Sequence, residues 1–476
     1  MNKPRLVLIL IGLLAFVNWA GAASATRPNI IFILADDYGI GEVGCYGADN
    51  YKTPHIDRLA RGGIRFTHAY TASLCGPSRA LILTGRYAFR TGATNQDATG
   101  RFTPEAETMT PKVLKAAGYV TAAIGKWGQL PLGPSDFGFD EYLKFKGSGI
   151  YWNTQGNGKT YEVNGKTRAL RDKEYMPEVM HTFITDFITK HRNEPFYLYY
   201  SLSHVHAEIL PTPDSAPDSK DIYADNISYM DKLVGKLIAE LERLKLREKT
   251  LIIFMGDNGT ANPRSERATI GGRRLSGAKG SMLEGGGLVP LIANWPGVTP
   301  PGKIFQDLID ASDLFPTLAE LAGAKMPPKT IIDGRSFAAQ LRGESGRPRA
   351  WAFNQLARMW YVREAGWKLN QAGELFDRLA QGAILRLSLL SRRWNPNYIL
   401  PCCHLLYCND ASLPILRWNF REVNVDSSSI IHTNLTVTDW LSSGHRELFR
   451  FHLFLHHLTS FTPLSIKAGA DCTPGA

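Results

Sequence analysis

The sequence predicts an α/β fold with a mostly parallel central sheet flanked by helices. Continuous apolar runs of strand length alternate along the chain with capped helical patterns. Apolar runs without polar alternation indicate strands buried on both faces, which is typical of parallel sheets covered by helices. The 476 residues, 44% hydrophobic and 21% charged, are enough for one large domain of this type and a smaller C-terminal region.

The predicted elements follow one another in a regular order. Strands are predicted for the segments NIIFILADD, YVTAAIGKW, PFYLYYSLSHVH and TLIIFMGDNG. Helices are predicted for TPHIDRLARGG, PSRALILTGR, TPKVLKAAG and ISYMDKLVGKLIAELERLK. Helix starts are marked by an N-cap and proline, and helix ends by glycine: Thr53 with Pro54, Thr110 with Pro111, Gly62 and Gly118.

Residues 1–25 have the features of a secretory signal peptide. Lys3 and Arg5 precede the apolar run LVLILIGLLAFV, and the small residues AGAASA follow it. The alternative is an uncleaved membrane anchor, for which the apolar run is short. We therefore expect a mature chain that begins near Thr26, is exported to the periplasm or secreted, and has no stable membrane insertion after cleavage.

Charge and cysteine usage narrow the function classes. The net charge of +10 favours anionic partners. The Lys and Arg residues are scattered, with no binding-module signature, so we expect no nucleic acid partner and instead a small anionic or polyanionic substrate. Only Cys45 and Cys75 lie in the first 400 residues, which excludes a disulfide framework for the main body.

Polar side chains follow four of the predicted strands. Ligands of such sheets bind outside the carboxyl ends of the strands, so these residues are expected at one edge. Carboxylate and amide oxygens that converge there suit Ca²⁺ or Mg²⁺. The alternative is that they are loop and cap residues without a ligand. The strand-end residues are Asp36, Asp37, Lys126, His204, His206, Asp257 and Asn258.

The stretch CGPSRALILTGR places Cys75 at the start of a helix. Pro77 suits the first helical turn and Gly85 lies near the end. Free backbone N–H groups and the helix dipole favour an anion at this position. The cysteine is either an activated thiolate or the precursor of another group, and an inert buried cysteine would leave the adjacent Arg79 unexplained.

These residues resemble the type I sulfatase family of the alkaline-phosphatase superfamily. CGPSRALILTGR resembles the signature Cys-x-Pro-Ser-Arg with a Leu-Thr-Gly-Arg ending, in which the cysteine is oxidised to formylglycine. The blocks RPNIIFILADDYGIGEVGCYG, TPHIDRLARGGIRFTHAYT, GYVTAAIGKW, FMGDNG, GAKGSMLEGGGLVPLIANWPG and GELFD resemble further family blocks in the same order. The resemblance covers roughly residues 27 to 378.

The resemblance implies a role for each matching residue. Asp36, Asp37, Asp257 and Asn258 match the ligands of one divalent metal, usually Ca²⁺, which also contacts the modified residue at position 75. Arg79 matches the arginine that holds that residue. Lys126 and Lys279 match two lysines that bind sulfate or stabilise its leaving group. His206 matches the histidine on the leaving-group side better than His204 does.

The resemblance also implies the reaction. A formylglycine-generating enzyme would convert Cys75, and the hydrated aldehyde would offer one hydroxyl to attack sulfur and a second to expel sulfate. The substrate would be a sulfated small molecule or polysaccharide, or an aryl sulfate. A phosphodiester or phosphonate hydrolase of the same superfamily and a catalytically impaired binding protein are the alternatives; a hydrolase using unmodified Cys75 has no use for the paired aspartates.

Three departures from the family pattern are present. Gly128 stands where a histidine that assists sulfate release is common, and Leu288 stands where an arginine is frequent. The tail after GELFDR has no recognisable pattern. We expect a catalytic domain over 26–345, the start of a C-terminal subdomain over 346–379 and an atypical tail over 380–476, for which a frame change is one explanation.

Overall fold

The computed structural model describes residues 27–96, 102–128, 130–153, 159–328 and 330–377, with five later strands up to residue 468. The predicted signal peptide, residues 1–25, lies outside these ranges. The described residues divide into two compact units, with the boundary after residue 360. The expected domain boundary after residue 345 therefore falls inside the first unit and stays a prediction.

A ten-stranded sheet forms the centre of the first unit. Its strand order is β12-β2-β11-β8-β1-β7-β3-β4-β5-β6. The five adjacent strands from β8 to β4 are mutually parallel, β2 and β12 are parallel to each other, and the other neighbours are antiparallel. A short hairpin, β9–β10, stands apart. The strands are β1 (Asn29–Ala35), β2 (Ile64–Tyr70), β3 (Val120–Lys126), β4 (Glu141–Phe145), β5 (Thr160–Val163), β6 (Lys166–Ala169), β7 (Phe196–Ser201), β8 (Thr250–Gly256), β9 (Thr269–Ile270), β10 (Arg273–Arg274), β11 (Leu288–Asn294) and β12 (Lys303–Asp310).

Helices cover both faces of the sheet. Alternate residues of β1 enter opposite cores, because successive strand side chains point to opposite faces: Phe32 packs in one core and Ile33 in the other. The first core contains α2, α4 and α8, and the second contains α1, α5 and α6. The helices are α1 (Pro54–Arg61), α2 (Cys75–Thr84), α3 (Ala88–Thr91), α4 (Thr110–Ala116), α5 (Met176–Lys190), α6 (Ile222–Arg243), α7 (Glu284–Gly287), α8 (Leu314–Leu321) and α9 (Ala338–Leu341).

The predicted fold class is confirmed, with one helix start corrected. Thr53 is the N-cap of α1 and Gly62 its C-cap, as expected. Thr110 is not an N-cap, because α4 begins at Thr110 itself and Met109 precedes it in extended conformation. The Thr110 hydroxyl donates a hydrogen bond to the Leu83 carbonyl, 3.1 Å away. This hydroxyl therefore bonds to a distant segment of the chain instead of capping its own helix.

The described strands after β13 form antiparallel pairs, and the boundary between the two units falls within β14. Antiparallel pairs join β14 through β18 in succession, and a separate set joins β19, β20 and β21. The sequence pattern of 380–476 predicts no regular element, but strand pairing through backbone groups does not require side-chain alternation. The strands are β13 (Ala352–Leu356), β14 (Met359–Arg363), β15 (Trp367–Asn370), β16 (Glu374–Asp377), β17 (Ile384–Leu389), β18 (Cys403–Tyr407), β19 (Ile431–Thr438), β20 (Leu448–Leu455) and β21 (Ser465–Ala468).

Candidate active site

The candidate site lies at the carboxyl ends of three parallel strands. Asp36 and Asp37 follow β1, Asp257 follows β8, and Lys126 ends β3. The backbone turns sharply after β1, since Asp37 adopts a left-handed φ of 56°, a conformation that aspartate tolerates better than most residues. The Asp37 amide then donates a hydrogen bond to Asp257 Oδ1 at 3.0 Å, which ties the two strand ends together.

A thiol and three carboxylates meet at this point. Ligand atoms of Asp36, Asp37, Cys75 and Asp257 all lie within 4.8 Å of one another, and all four residues are buried. The Cys75 thiol is 3.4 Å from Asp36 Oδ1 and 3.7 Å from Asp37 Oδ1. Cys75 is the first residue of α2 and is held there by the predicted helix, whose end at Gly85 has a φ of 67°.

Three cations surround the carboxylates. Arg79 Nη2 donates to Asp257 Oδ2 at 2.8 Å, and the Lys126 ammonium is 2.5 Å from Asp36 Oδ2. Both cations are fully buried, whereas Lys279, 2.7 Å from Asp37 Oδ1, is 18% exposed. Arg79 and Lys126 therefore form the floor of the site, and Lys279 lies at its mouth.

Burial and mutual repulsion shift the pKa of the acidic groups. Burial, together with the neighbouring Asp257 charge, raises the pKa of Asp36 to about 7 in spite of Lys126. Burial and the same carboxylates raise the pKa of the Cys75 thiol well above its ordinary value. Burial also acts to raise the pKa of Asp257, but the combined charges of Arg79, Lys126 and Lys279 outweigh it, and the pKa is lowered. Without a bound cation, the site thus disfavours further negative charge.

The donor set fits a hard divalent cation. Asn258 Nδ2 donates to Asp37 Oδ1 and to the Gly259 carbonyl, both at 2.9 Å. Asn258 Oδ1 is buried and finds no hydrogen-bond partner among the described residues. Such an acceptor is costly unless it has a partner, and it lies beside carboxylates that suit Ca²⁺ or Mg²⁺. The four predicted metal-ligating side chains, with Cys75, are therefore gathered in one place.

The two candidate histidines have different surroundings. His206 Nε2 is 3.9 Å from Asp37 Oδ2, and the side chain is 20% exposed. Burial, and then the Lys126 charge, lower its pKa. His204 instead contacts the Tyr175 hydroxyl through Nε2 at 3.0 Å, and complete burial lowers its pKa to about 3. His206 faces the carboxylate cluster, and His204 packs among aromatic rings.

Gly128 and Leu288, the two positions at which single residues depart from the family pattern, lie in different environments. Gly128 has a φ of 79°, and a Cβ atom there would lie 3.0 Å from Arg79 Cδ. The position at which the family commonly has histidine is thus directly beside the buried guanidinium. Leu288 is buried at the start of β11, opposite Tyr70, in a small apolar cluster. It contributes packing there.

We expect the Gly128→Ala variant to lower the free energy of unfolding by about 1–2 kcal/mol, because a left-handed conformation is unfavourable for a residue with a Cβ atom. Urea denaturation measures this loss. The matched control is Gly147→Ala, whose φ is 86° and whose added Cβ would meet nothing within 4 Å. If Gly128→Ala loses more unfolding free energy than Gly147→Ala, the difference is the cost of the contact between the added Cβ atom and Arg79. Equal losses of unfolding free energy would contradict such a contact.

Several supporting residues were not predicted from the sequence. Ser201 Oγ accepts a hydrogen bond from Arg79 Nη1, and its position at the end of β7 is a signal that the strand-end rule could have used. Glu42 is buried, accepts a hydrogen bond from Thr260 at 2.9 Å, and has its pKa raised to about 8 mainly by burial. Tyr151 contacts the His206 loop. Glu42 and Tyr151 have no local sequence signal, because their partners are distant in the chain.

The chain was also compared with known proteins. The family model described as Sulfatase matches residues 28–324. Steryl-sulfatase of Mus musculus is 31% identical, with 77% of this chain and 76% of that protein covered. Arylsulfatase A of Homo sapiens is 34% identical, with 74% of each covered.

The fold also matches solved structures. The crystal structure of Ps i-CgsB in complex with k-i-k-neocarrahexaose is 30% identical, with a TM-score of 0.66, and the match covers 75% of this chain and 85% of that one. Within the described ranges, no helix combines the length and apolar character needed to cross a membrane. The family match, over more than half of the chain, agrees with the signature around Cys75. This chain is a sulfuric ester hydrolase and belongs to the type I sulfatase family.

Proposed function

We propose that the chain releases inorganic sulfate from a sulfated carbohydrate, with Cys75 converted to formylglycine as the nucleophile. One observation carries the proposal: Cys75 lies within a cluster of three buried carboxylates that is bordered by three cations. The carbohydrate class follows from the likeness to Ps i-CgsB, which was crystallised with neocarrahexaose. Aryl sulfates are the second substrate class, in view of the similarity to arylsulfatase A.

The charges of the site favour an anionic ester once a cation is bound. Three carboxylates and three cations balance to zero without the metal, so a divalent ion held by Asp36, Asp37, Asp257 and Asn258 makes the site positive. A sulfate monoester carries one negative charge and is attracted to such a site. The hard oxygen ligands suit Ca²⁺ or Mg²⁺, and calcium is the ion that we propose because the family resemblance implies it.

The surroundings of Cys75 disfavour an unmodified thiolate. A thiolate would lie next to the carboxylates of Asp36 and Asp37, at 3.4 and 3.7 Å, and would be repelled by them. Formylglycine hydrate would instead supply a neutral hydroxyl nucleophile for sulfur, and the cation would supply positive charge beside it. A formylglycine-generating enzyme is the maturation partner, and export to the periplasm or medium is the proposed location.

The remaining residues have separable roles. Arg79, bonded to Asp257 and to the Lys126 carbonyl, keeps the floor of the site rigid. Lys126 and Lys279 balance the charge that develops on the sulfuryl oxygens. The His206 ring, after Nε2 has taken up a proton from solvent, donates that proton to the leaving oxygen as the bond between this oxygen and sulfur breaks, and the neutral ring keeps its hydrogen on Nδ1. In the overall reaction water is consumed, and an alcohol and sulfate are released.

The proposal is tested with matched sulfate and phosphate esters. The full chain, expressed with a formylglycine-generating enzyme, is expected to release sulfate from sulfated oligosaccharides and to release little phosphate from phosphodiesters or phosphonates. Ion chromatography measures both anions, with the Cys75→Ala variant as the background. Faster release of phosphate would favour the related phosphoester hydrolase. Binding of sulfated oligosaccharide without release of either anion would favour an impaired binding protein, for which Gly128 is the motivating observation.

A further inference from the structure

His206 lies on a loop that is held by β1 only over its first part. The Leu202 amide donates to the Leu34 carbonyl at 2.9 Å, and the Val205 amide donates to the Asp36 carbonyl at 2.7 Å. The Asp36 amide donates in return to the His204 carbonyl at 2.7 Å. This backbone pairing ends at Val205, one residue before His206. The His206 amide donates to the Ser203 carbonyl at 2.9 Å within the same loop, and the His206 carbonyl is held by a contact from another part of the chain.

That contact is made by Tyr151, which lies 55 residues earlier in the chain. Its hydroxyl is 2.9 Å from the Ser203 carbonyl and 3.0 Å from the His206 carbonyl, and it donates its hydrogen to these two acceptors. Tyr151 is buried, and its own carbonyl accepts a hydrogen bond from the Met176 amide at 2.8 Å, where α5 begins. Hydrogen bonds thus hold Tyr151 both at its hydroxyl and at its backbone carbonyl.

The next residue holds the far end of the same loop. Trp152 Nε1 donates to the Pro211 carbonyl at 2.7 Å. Asn226 of α6 donates to the neighbouring Leu210 carbonyl at 2.8 Å. Two consecutive aromatic residues therefore bind the His206 loop on either side of the histidine.

The orientation of the imidazole ring follows from this backbone. His206 Nδ1 is 2.6 Å from the carbonyl of Ala207, which accepts only if Nδ1 carries the hydrogen. In the neutral ring Nε2 then carries no hydrogen, and it lies 3.9 Å from Asp37 Oδ2. A shift of the carbonyls at 206 and 207 would turn Nε2 away from the carboxylate cluster.

We propose that Tyr151 is a positioning residue for the sulfatase reaction, whose hydroxyl holds the His206 loop so that Nε2 faces the leaving-group side of the site. The proposal rests on the role of His206 given above. No hydrogen bond, ion pair or ring contact of the described residues joins Tyr151 to the carboxylates or to Cys75, so we expect its effect to act through the loop of Ser203 and His206, whose carbonyls it contacts.

The test uses Tyr151→Phe in two backgrounds, the unaltered chain and His206→Ala. In the unaltered chain we expect kcat for sulfate release to fall about tenfold with KM unchanged, because a misplaced proton donor slows the chemical step. In the His206→Ala background we expect no further fall. The matched control is Tyr175→Phe, which removes a buried hydroxyl of the same aromatic cluster that contacts His204 instead, and it is expected to retain the kcat of the unaltered chain.

A second measurement does not depend on turnover. The ¹⁵N signals of the His206 ring, assigned by their loss in His206→Ala, report which nitrogen carries the hydrogen. We expect one tautomer in the unaltered chain and in Tyr175→Phe, and a mixture in Tyr151→Phe. Unchanged ring signals in Tyr151→Phe, or an equal fall in kcat with and without His206, would overturn the positioning role. Full activity of His206→Ala would instead refute the proton-donor role of His206, and the ring signals would still decide whether Tyr151 positions it.

Discussion

The Cys75→Ala variant is expected to lose sulfate release by about 1,000-fold or more, because it removes the proposed nucleophile and leaves only the binding and charge contributions of the site. The fold is expected to persist, since alanine fits within the space of a buried cysteine. Sulfate release measured by ion chromatography and the thermal midpoint of unfolding check the two statements. The matched control is Cys45→Ala: Cys45 is also a free cysteine, it is half-buried, and it is not among the residues of the carboxylate cluster.

The chemical state of Cys75 decides what the nucleophile is. Mass spectrometry of the peptide that contains Cys75, from protein expressed with a formylglycine-generating enzyme, is expected to show the aldehyde. The fraction of converted peptide should rise in proportion to the activity of different preparations. A fully active preparation that contains only the free thiol would refute the proposed nucleophile and favour direct thiol chemistry.

The Asp257→Ala variant is expected to lose about 3 kcal/mol of unfolding free energy, because it leaves the fully buried Arg79 guanidinium without its close carboxylate partner. Asp36, at 3.8 Å, is the other carboxylate near that guanidinium among the described residues. The variant also removes one proposed ligand of the cation and the acceptor of the Asp37 amide. We therefore expect sulfate release to fall by about 100-fold or more, as charge stabilisation in the site is lost.

Two further variants separate these effects. Asp257→Asn keeps an acceptor for the Asp37 amide and fills the same volume, so part of the stability is expected to return while activity stays low. Asp214→Ala removes an exposed ion pair with Lys232 and is expected to change neither quantity appreciably. Urea denaturation measures the unfolding free energy of each variant, and an assay of sulfate release measures its activity. Full activity after treatment with a chelator would refute the metal site, and an Asp257→Ala chain as stable as the parent would refute the role of the buried ion pair.

The strands and helices that the sequence predicted in the first unit each have a local physical cause. The seven residues of β1 are apolar or small except for Asn29 and are buried throughout, as a strand between two helical layers requires. Thr53, Pro54 and Gly62 delimit α1 through their own backbone preferences. The start of α4 was displaced by one residue, because the Thr110 hydroxyl finds the distant Leu83 carbonyl instead of its own helix.

The side chains of the proposed metal site were also within reach of the sequence. Asp36 and Asp257 each follow a continuous apolar run, and parallel strands place their carboxyl ends at one edge. The chemistry of three carboxylates with an amide then predicts a hard cation. The identity of the cation, the modification of Cys75 and the substrate do not follow from these residue types and remain proposals.

The sequence by itself determined the fold class, the strand ends that bear the carboxylates and the helix that begins at Cys75, because these depend on local periodicity and on the rule that parallel strands end together. Only the tertiary structure decided how the two histidines differ and which residues support them. His204 and His206 are two residues apart, yet one contacts the Tyr175 hydroxyl and the other faces Asp37. The position of Tyr151 against the His206 carbonyl is a contact between segments far apart in the chain, and such contacts depend on packing and leave no local pattern.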